Sequence, residues 1–277
     1  MSKFTHLHTH SHYSLLNALP KIDNILNKAE KCGATSIALT DDGVMYGVVD
    51  FYKKAIKKNI KPIIGVDFYV ALRTRHDKQS RVDNKRYRLV LLAKNNQGYK
   101  NLMKLVSFSF IDGYYYKPRI DRELIKKYSE GLVAILPQFS SETSSHLKLN
   151  NIERAKESFN FYSKIFNDDL YFEIVHHPEM EEQVELQKSI IDFCNKNKSK
   201  LVATSDFYYL EKNQKKARDI LTDIGAVRSG GNYHNDTDDF SYKTEKEMIE
   251  NFSHIPKAIS NTKEIEKKCN LKLELGK

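Results

Sequence analysis

Four histidines, His6, His8, His10 and His12, occupy every second position of FTHLHTHSHYS between Phe4 and Ser14. In an extended strand alternate side chains leave from one face, so this register can aim several imidazoles at one point. Imidazole is the commonest metal ligand and the usual proton carrier near neutral pH. The spacing predicts a metal site, against the plainer alternative of a polar N-terminal strand with spare histidines.

Groups of matching chemistry recur where later apolar runs end. Asp41 and Asp42 follow IALT, Asp67 falls late in KPIIGVDFYV, His176 and His177 follow YFEIV, and Asp206 follows LVATS. If these runs are the strands of a barrel, their ends gather on one rim, where the loops of such a fold carry its chemistry. Mixed imidazole and carboxylate ligation suits Zn, Mn or Fe. Two or three such ions would bind a phosphate and activate water, the logic of phosphoester hydrolysis. The sequence has no Walker-type phosphate loop and no GxSxG elbow. Ser205 is expected to make a strand-end hydrogen bond. The cluster Tyr114–Tyr116 is expected to pack at a loop more readily than to stack on nucleic-acid bases.

The elements that must position these groups follow from hydrophobic periodicity. Short apolar runs alternate with amphipathic stretches, the pattern of repeated βα units around a parallel sheet. Candidate strands are Phe4–His8, Thr35–Thr40, Pro62–Val70, Tyr87–Ala93, Leu132–Leu136, Tyr171–Val175 and Leu201–Thr204, a number close to that of a closed barrel. Candidate helices are Lys21–Lys31, Val48–Lys58, Gln97–Phe108, Asn151–Ile165, Glu182–Asn195 and Lys212–Ile224. In the second of these, Val48, Val49, Phe51, Tyr52 and Ile56 mark an expected apolar face, with lysines opposite. Arg73–Arg86 is too polar and charged to pack and is expected as an exposed loop. Ser229–Asp239 is rich in turn formers, and two helices near Thr244–Asn251 and Ile255–Cys269 follow, outside the alternation.

Composition narrows the class. With 277 residues, 40% of them hydrophobic, the chain can bury a full core. No apolar run is long enough to span a bilayer, and the N-terminus lacks a signal-peptide pattern, so the expected location is cytoplasmic. Cys32, Cys194 and Cys269 are far apart and fit reduced thiols. The net charge of +9 is mostly lysine scattered over helical stretches, as in KKAIKKNIK, and gives only weak support for a polyanionic partner.

HLHTHSHYSLLNA and IALTDDGVMYGVVDFYKKAIKKNIKPIIGVDFYVA together resemble the start of the polymerase and histidinol phosphatase (PHP) domain of bacterial DNA polymerase III alpha subunits. The similarity continues through LLAKNNQGYKNLMKLVS, GYYYKPRIDRE, EGLVAIL, LVATSDFYYL and AISNTKEIEKKCNLKL, over nearly the whole chain. This resemblance implies an α/β fold, a distorted (β/α)7 barrel of the PHP type, with a trinuclear metal centre in metal-competent members. It also implies one PHP domain over 1–277, in which 229–277 form a loop and helical segment leading towards a polymerase palm beyond Lys277. Mg would then serve only that absent polymerase domain.

Carried over position by position, His8 and His10 match the first ligand pair, Asp67 a bridging acid, and His177 and Asp206 later ligands. Asp42 stands where a His is usual and is a further candidate ligand. Four positions depart from the pattern: Asn17 for Asp, Arg88 for His, Gln138 for Cys or His, and Tyr208 for the last His. Asn is a neutral and weaker ligand, Gln binds transition metals poorly, and Tyr is protonated near neutral pH. Arg88 would add fixed positive charge able to pair with Asp67 or Asp206. The expectation is a degenerate site without efficient phosphoesterase activity, holding at most one weakly bound Zn, Mn or Fe ion. The implied role is structural, within a replicative polymerase. Implied partners are the rest of the polymerase chain, a proofreading exonuclease subunit, and DNA through the parent holoenzyme. The alternatives are an active metal-dependent 3′–5′ exonuclease or phosphoesterase and, third, a stand-alone histidinol-phosphatase-like enzyme.

Overall fold

The computed structural model describes residues 3–229 and 238–275. In chain order the strands are β1 (Ser36–Leu39), β2 (Lys61–Ala71), β3 (Arg86–Ala93), β4 (Arg119–Ile120), β5 (Leu132–Leu136), β6 (Leu170–Val175) and β7 (Lys200–Thr204). The helices are α1 (Ile22–Lys31), α2 (Val48–Lys57), α3 (Asn96–Ile111), α4 (Arg122–Lys127), α5 (Glu142–Lys148), α6 (Ile152–Phe166), α7 (Glu181–Asn197), α8 (Lys215–Ser229), α9 (Glu245–Asn251) and α10 (Pro256–Lys268).

The strands form one sheet in the order β1-β2-β3-β5-β6-β7, with β4 added to β2. The N-terminal segment completes the curl. It bridges β1 through His6 and Ile37 and the end of β7 through Thr9 and Phe207. Ala38 donates its N–H to the His6 carbonyl at 2.8 Å. The expected first strand, Phe4–His8, is thus a stave held by isolated bridges, and its side chains do not keep strict alternation. The expected parallel sheet is also revised, because β3 runs antiparallel to both β2 and β5. No helix separates β2 from β3, so the chain returns without the crossover that parallel pairing requires.

Alternation along the strands sorts the core into two layers. In β2, Ile64, Val66, Phe68 and Val70 pack outward against the helices, while Ile63 joins Ala38, Val90, Val133, Tyr171 and Val202 inside the curl. Continuing inward-facing registers upward reaches Asp67 in β2, Glu173 in β6 and Thr204 in β7, so the interior is apolar below and polar at the rim. Gly65 lies between these layers, where an added Cβ would stand 2.5 Å from Leu92 and 2.6 Å from the Leu91 carbonyl. On α2 the buried stripe is Val48, Phe51 and Ala55. Val49 and Ile56, expected on that face, are exposed, since positions one and eight residues on from Val48 rotate away from an i, i+3, i+7 stripe.

The 73–86 segment is the largely exposed loop its composition suggests, but it is pinned by two buried charged residues, Arg75 and Asp83. Arg119 is fully buried and donates to the carbonyls of Gly113, Asp83, Arg75 and Asp77 at 2.9–3.0 Å. Asp83, 1% exposed, accepts from Arg73 and from the Gln79 N–H, while Arg75 pairs with Asp121, the N-cap of α4. Charged residues pack here because each finds a partner, which composition cannot reveal. Arg119→Ala would remove the side-chain donor from the Asp83, Arg75 and Asp77 carbonyls, while Gly113 keeps the Arg119 N–H at 3.3 Å, so it is expected to destabilise the protein by roughly 2–4 kcal/mol. It should also open this segment to trypsin; equal cleavage rates in the variant and the parent would refute the clamp.

The last two helices brace the barrel. Ile265 and Cys269 at the end of α10 enter the inner apolar layer, Asn261 donates to the Leu201 carbonyl at 2.7 Å, and Tyr171 donates to Glu264 at 2.8 Å. Burial alone would raise the Glu264 carboxyl, but hydrogen bonds from Lys200 and Tyr171 outweigh it and draw its pKa down from 4.5 to about 2. A carboxyl lowered on folding stabilises the fold above its unfolded value and loses that contribution as pH falls. The melting temperature should therefore fall between pH 4.5 and 2 less steeply in Glu264→Gln than in the parent. Parallel curves would exclude Glu264 as a source of acid sensitivity.

Candidate functional site

The alternating histidines separate into three environments. His6 donates Nε2–H to the Lys243 carbonyl (2.9 Å) and accepts at Nδ1 from Ser205 (3.0 Å), and burial lowers its pKa to about 3. It is a neutral structural group, and Ser205 makes the strand-end hydrogen bond expected of it. His12 is half-buried and packs against Tyr13. Only His8 and His10 enter the rim, with ring centroids 5.0 Å apart. Asp41 holds their loop in place, accepting from the Ser11 N–H, the Ser11 hydroxyl and the Ser14 hydroxyl, each at 2.7 Å.

His8 lies between carboxylates, with Nδ1 2.8 Å from Glu173 and Nε2 3.2 Å from Asp67 and 3.6 Å from Asp206. Burial disfavours its charge, but Asp206 and Glu173 outweigh burial and hold its pKa well above the ordinary 6.5. Both ring nitrogens of His8 thus face carboxylate oxygens. Glu173, fully buried, also accepts from Thr204 and from the Gln138 N–H. Sequence reasoning missed this residue. Its signal was a lone acid inside the apolar run YFEIV, since a buried charge requires a partner.

Arg88 is the centre of the rim. Because β3 is reversed, a residue near its start reaches the same end as Asp67, and Arg88 stands opposite Tyr69 in the β2–β3 ladder. Its guanidinium donates to both Asp42 and Asp67 and lies 4.1 Å from the Tyr69 ring centroid. The expected partner Asp67 is present; the other is Asp42, not Asp206. Burial opposes charging Asp42 and Asp67, but Arg88 overcomes it and holds both below the ordinary carboxylate range.

Asn17, Tyr208 and Gln138 are also built into contacts. Asn17 donates to Asp42 at 2.8 Å and accepts from Arg218 at 3.2 Å; Arg218 is a second rim cation that sequence reasoning did not find. Tyr208 stacks on His10, with ring planes 7° apart, and its hydroxyl lies 3.4 Å from Asp206. Gln138 spends its amide on Val175 N–H and the Gln183 carbonyl. His177 pairs with Glu179 at 2.9 Å and packs against Phe139 and Phe240. Asp206, 3.0 Å from His10 Nε2, has a φ of 44°, a left-handed backbone that surrounding contacts must hold in place.

His8, His10 and Asp67 offer ligand atoms that all lie within 4.8 Å of one another, and they fit a single ion. Asp67 Oδ1 is buried without a hydrogen-bond partner, a free donor for such an ion. An ion there would supply a fixed positive charge able to polarise a bound oxygen. A centre of several ions does not fit this arrangement. Arg88 sits on Asp42 and Asp67, which would otherwise be free to hold further ions, and Gln138 and His177 are engaged elsewhere.

The chain is a curled mixed sheet with a histidine and carboxylate rim, and the family model described as "PHP domain" matches residues 6–177. The chain belongs to the PHP domain family. It is 38% identical over 273 residues to the DNA polymerase III subunit alpha of Borreliella burgdorferi, covering 97% of this chain and 24% of that protein. The same-named protein of Campylobacter jejuni is 38% identical over 293 residues, covering 100% of this chain and 24% of the relative. The chain therefore spans about a quarter of the length of these relatives. Among solved structures, an amidohydrolase from Chromobacterium violaceum aligns with a TM-score of 0.44 and 11% identity, over 74% of this chain and 87% of that one. No helix among the described residues is long and apolar enough to cross a membrane.

Proposed function

We propose that this chain is the PHP domain of a cytoplasmic replicative DNA polymerase, and that it serves as a structural module with its metal chemistry lapsed. The observation that carries this reading is Arg88 seated between Asp42 and Asp67. A side chain that is always charged replaces, inside the fold, the positive charge a bridging metal would bring. The polymerase context is supported by relatives that share nearly the whole chain. In this reading the polymerase reaction and its Mg belong to the remainder of the polypeptide, and DNA is engaged through the parent holoenzyme. A proofreading exonuclease subunit is the proposed protein partner, docked on the outer surface away from the rim. Mixing the full-length polypeptide with its cognate exonuclease subunit tests that docking; absence of a complex removes it.

The catalytic question is tested on the full-length polypeptide with a 3′-labelled oligonucleotide and a phosphomonoester. No hydrolysis sensitive to His10→Ala is expected. Two or three bound Zn, Mn or Fe ions, with hydrolysis lost in His10→Ala, would establish the opposing reading, an active metal-dependent exonuclease or phosphoesterase. The grouping of His8, His10 and Asp67 supports an intermediate state, one weakly held Zn, Mn or Fe ion without efficient turnover. His177, Asp206 and Asp42 are proposed as remnants of the wider ligand set.

A further inference from the structure

We propose that the outer lip of the rim, beyond Tyr69, is a track for single-stranded nucleic acid, with phosphates on Arg86 and Lys117 and bases stacked on Tyr114 and Tyr116. Two independent features meet there. The first is a set of crowded cations. Arg88, Arg86 and Lys117 lie 4.1, 5.3 and 5.6 Å from the centroid of the same Tyr69 ring. Arg88 is neutralised by Asp42 and Asp67, whereas Arg86 donates only to the Asn84 carbonyl at 2.7 Å. Among the described residues neither Arg86 nor Lys117 makes an ion pair with a carboxylate. Burial holds both below their ordinary pKa values; Asp42 opposes it, and neighbouring arginines add to it. A bound anion would relieve that repulsion. Lys85, exposed, lines the same cavity of about 550 Å³ as Arg86 and Tyr69.

The second feature is the aromatic run beside these cations. Tyr114 is 52% and Tyr116 62% exposed, while Tyr115 between them is drawn towards Arg119, 5.3 Å from its ring. Tyr116 has a φ of 61°, a left-handed backbone costly for a bulky residue, and the Tyr115 N–H closes the turn on the Lys117 carbonyl at 3.1 Å. The chain thus holds a strained turn that leaves two tyrosine rings more than half exposed, Tyr114 stacked on Phe110 and Tyr116 edge-on to Tyr115 and adjacent to Lys117 in the chain. Rings interleaved with cations match alternating bases and phosphates. An acidic peptide would answer the cations and leave the exposed ring faces in water.

The test uses the full-length polypeptide, photocrosslinked to oligothymidine carrying 5-iodouracil and mapped by peptide mass spectrometry. Adducts on Tyr114 or Tyr116 are expected, and adducts confined to other regions would overturn the proposal. Mapping separates this track from any polymerase site, so the result does not depend on the polymerase reading. Tyr116→Gly keeps the backbone conformation and removes the ring; it should lower the crosslink yield in this segment about tenfold at limiting oligonucleotide. Lys117→Ala should reduce the salt dependence of that crosslink by about one phosphate contact. Equal protection from crosslinking by polyglutamate and by unlabelled oligothymidine, at matched charge, would show a general anion surface and overturn the assignment to nucleic acid.

Discussion

Arg88→Met is expected to destabilise the protein by about 3–5 kcal/mol at neutral pH, the usual cost of breaking a buried ion pair by removing one partner. The Arg88 side chain is 14% exposed, and its partners Asp42 and Asp67 are 7% and 3% exposed. Methionine fills much of the same volume, so the loss is electrostatic and not a cavity. The sign of the pH dependence follows from the two carboxyls, which Arg88 holds below their ordinary value of 3.8. Groups lowered on folding contribute stability above that value and lose it as pH falls. The gap between parent and variant should therefore be full at pH 7 and narrow below about pH 4. Urea midpoints at pH 7 and pH 3 measure it, and an unchanged gap would contradict the ion-pair account. Asp42→Asn in the Arg88→Met background should recover part of the loss, because one of the stranded charges goes with it.

Zinc stoichiometry should change with the same residue. The unsubstituted chain is expected to retain at most one ion per polypeptide, bound by His8, His10 and Asp67. Combining Arg88→His, Asn17→Asp and Tyr208→His frees the Asp42 and Asp67 carboxylates and adds three donors of the kind metal sites use. That variant should bind at least two ions by elemental analysis. It should be unstable alone and gain about 2.7 kcal/mol when free Zn reaches a hundred times the dissociation constant. Equal metal content in the two proteins would mean that Arg88 is not what excludes the further ions.

Local sequence carried much of this architecture. Six of the seven expected strands appear as sheet strands with small shifts in their ends, because a buried strand must be written as a short apolar run bounded by turn residues. β4, α4 and α5 went unforeseen; a two-residue strand and helices of six and seven residues leave too short a pattern to stand out. The segment expected as a loop at Ser229–Asp239 lies largely outside the described residues. Asn17, Arg88, Gln138 and Tyr208 stood out only through the family resemblance, as expected departures from its ligand set.

What sequence by itself determined was the inventory: a histidine-rich first stave, acids at strand ends, and an arginine near the start of a strand. Only the tertiary structure decided who meets whom. Reversal of β3 carries Arg88 to Asp67 and Asp42, 21 and 46 residues away in the chain. Glu173 reaches His8 across 165 residues. His6 and His12, identical in type and spacing to His8 and His10, face other neighbours, because the first stave is fastened by isolated bridges and does not keep a strand's alternation. Ion pairs and hydrogen bonds depend on distances of a few ångströms, and those distances are set by how the sheet closes.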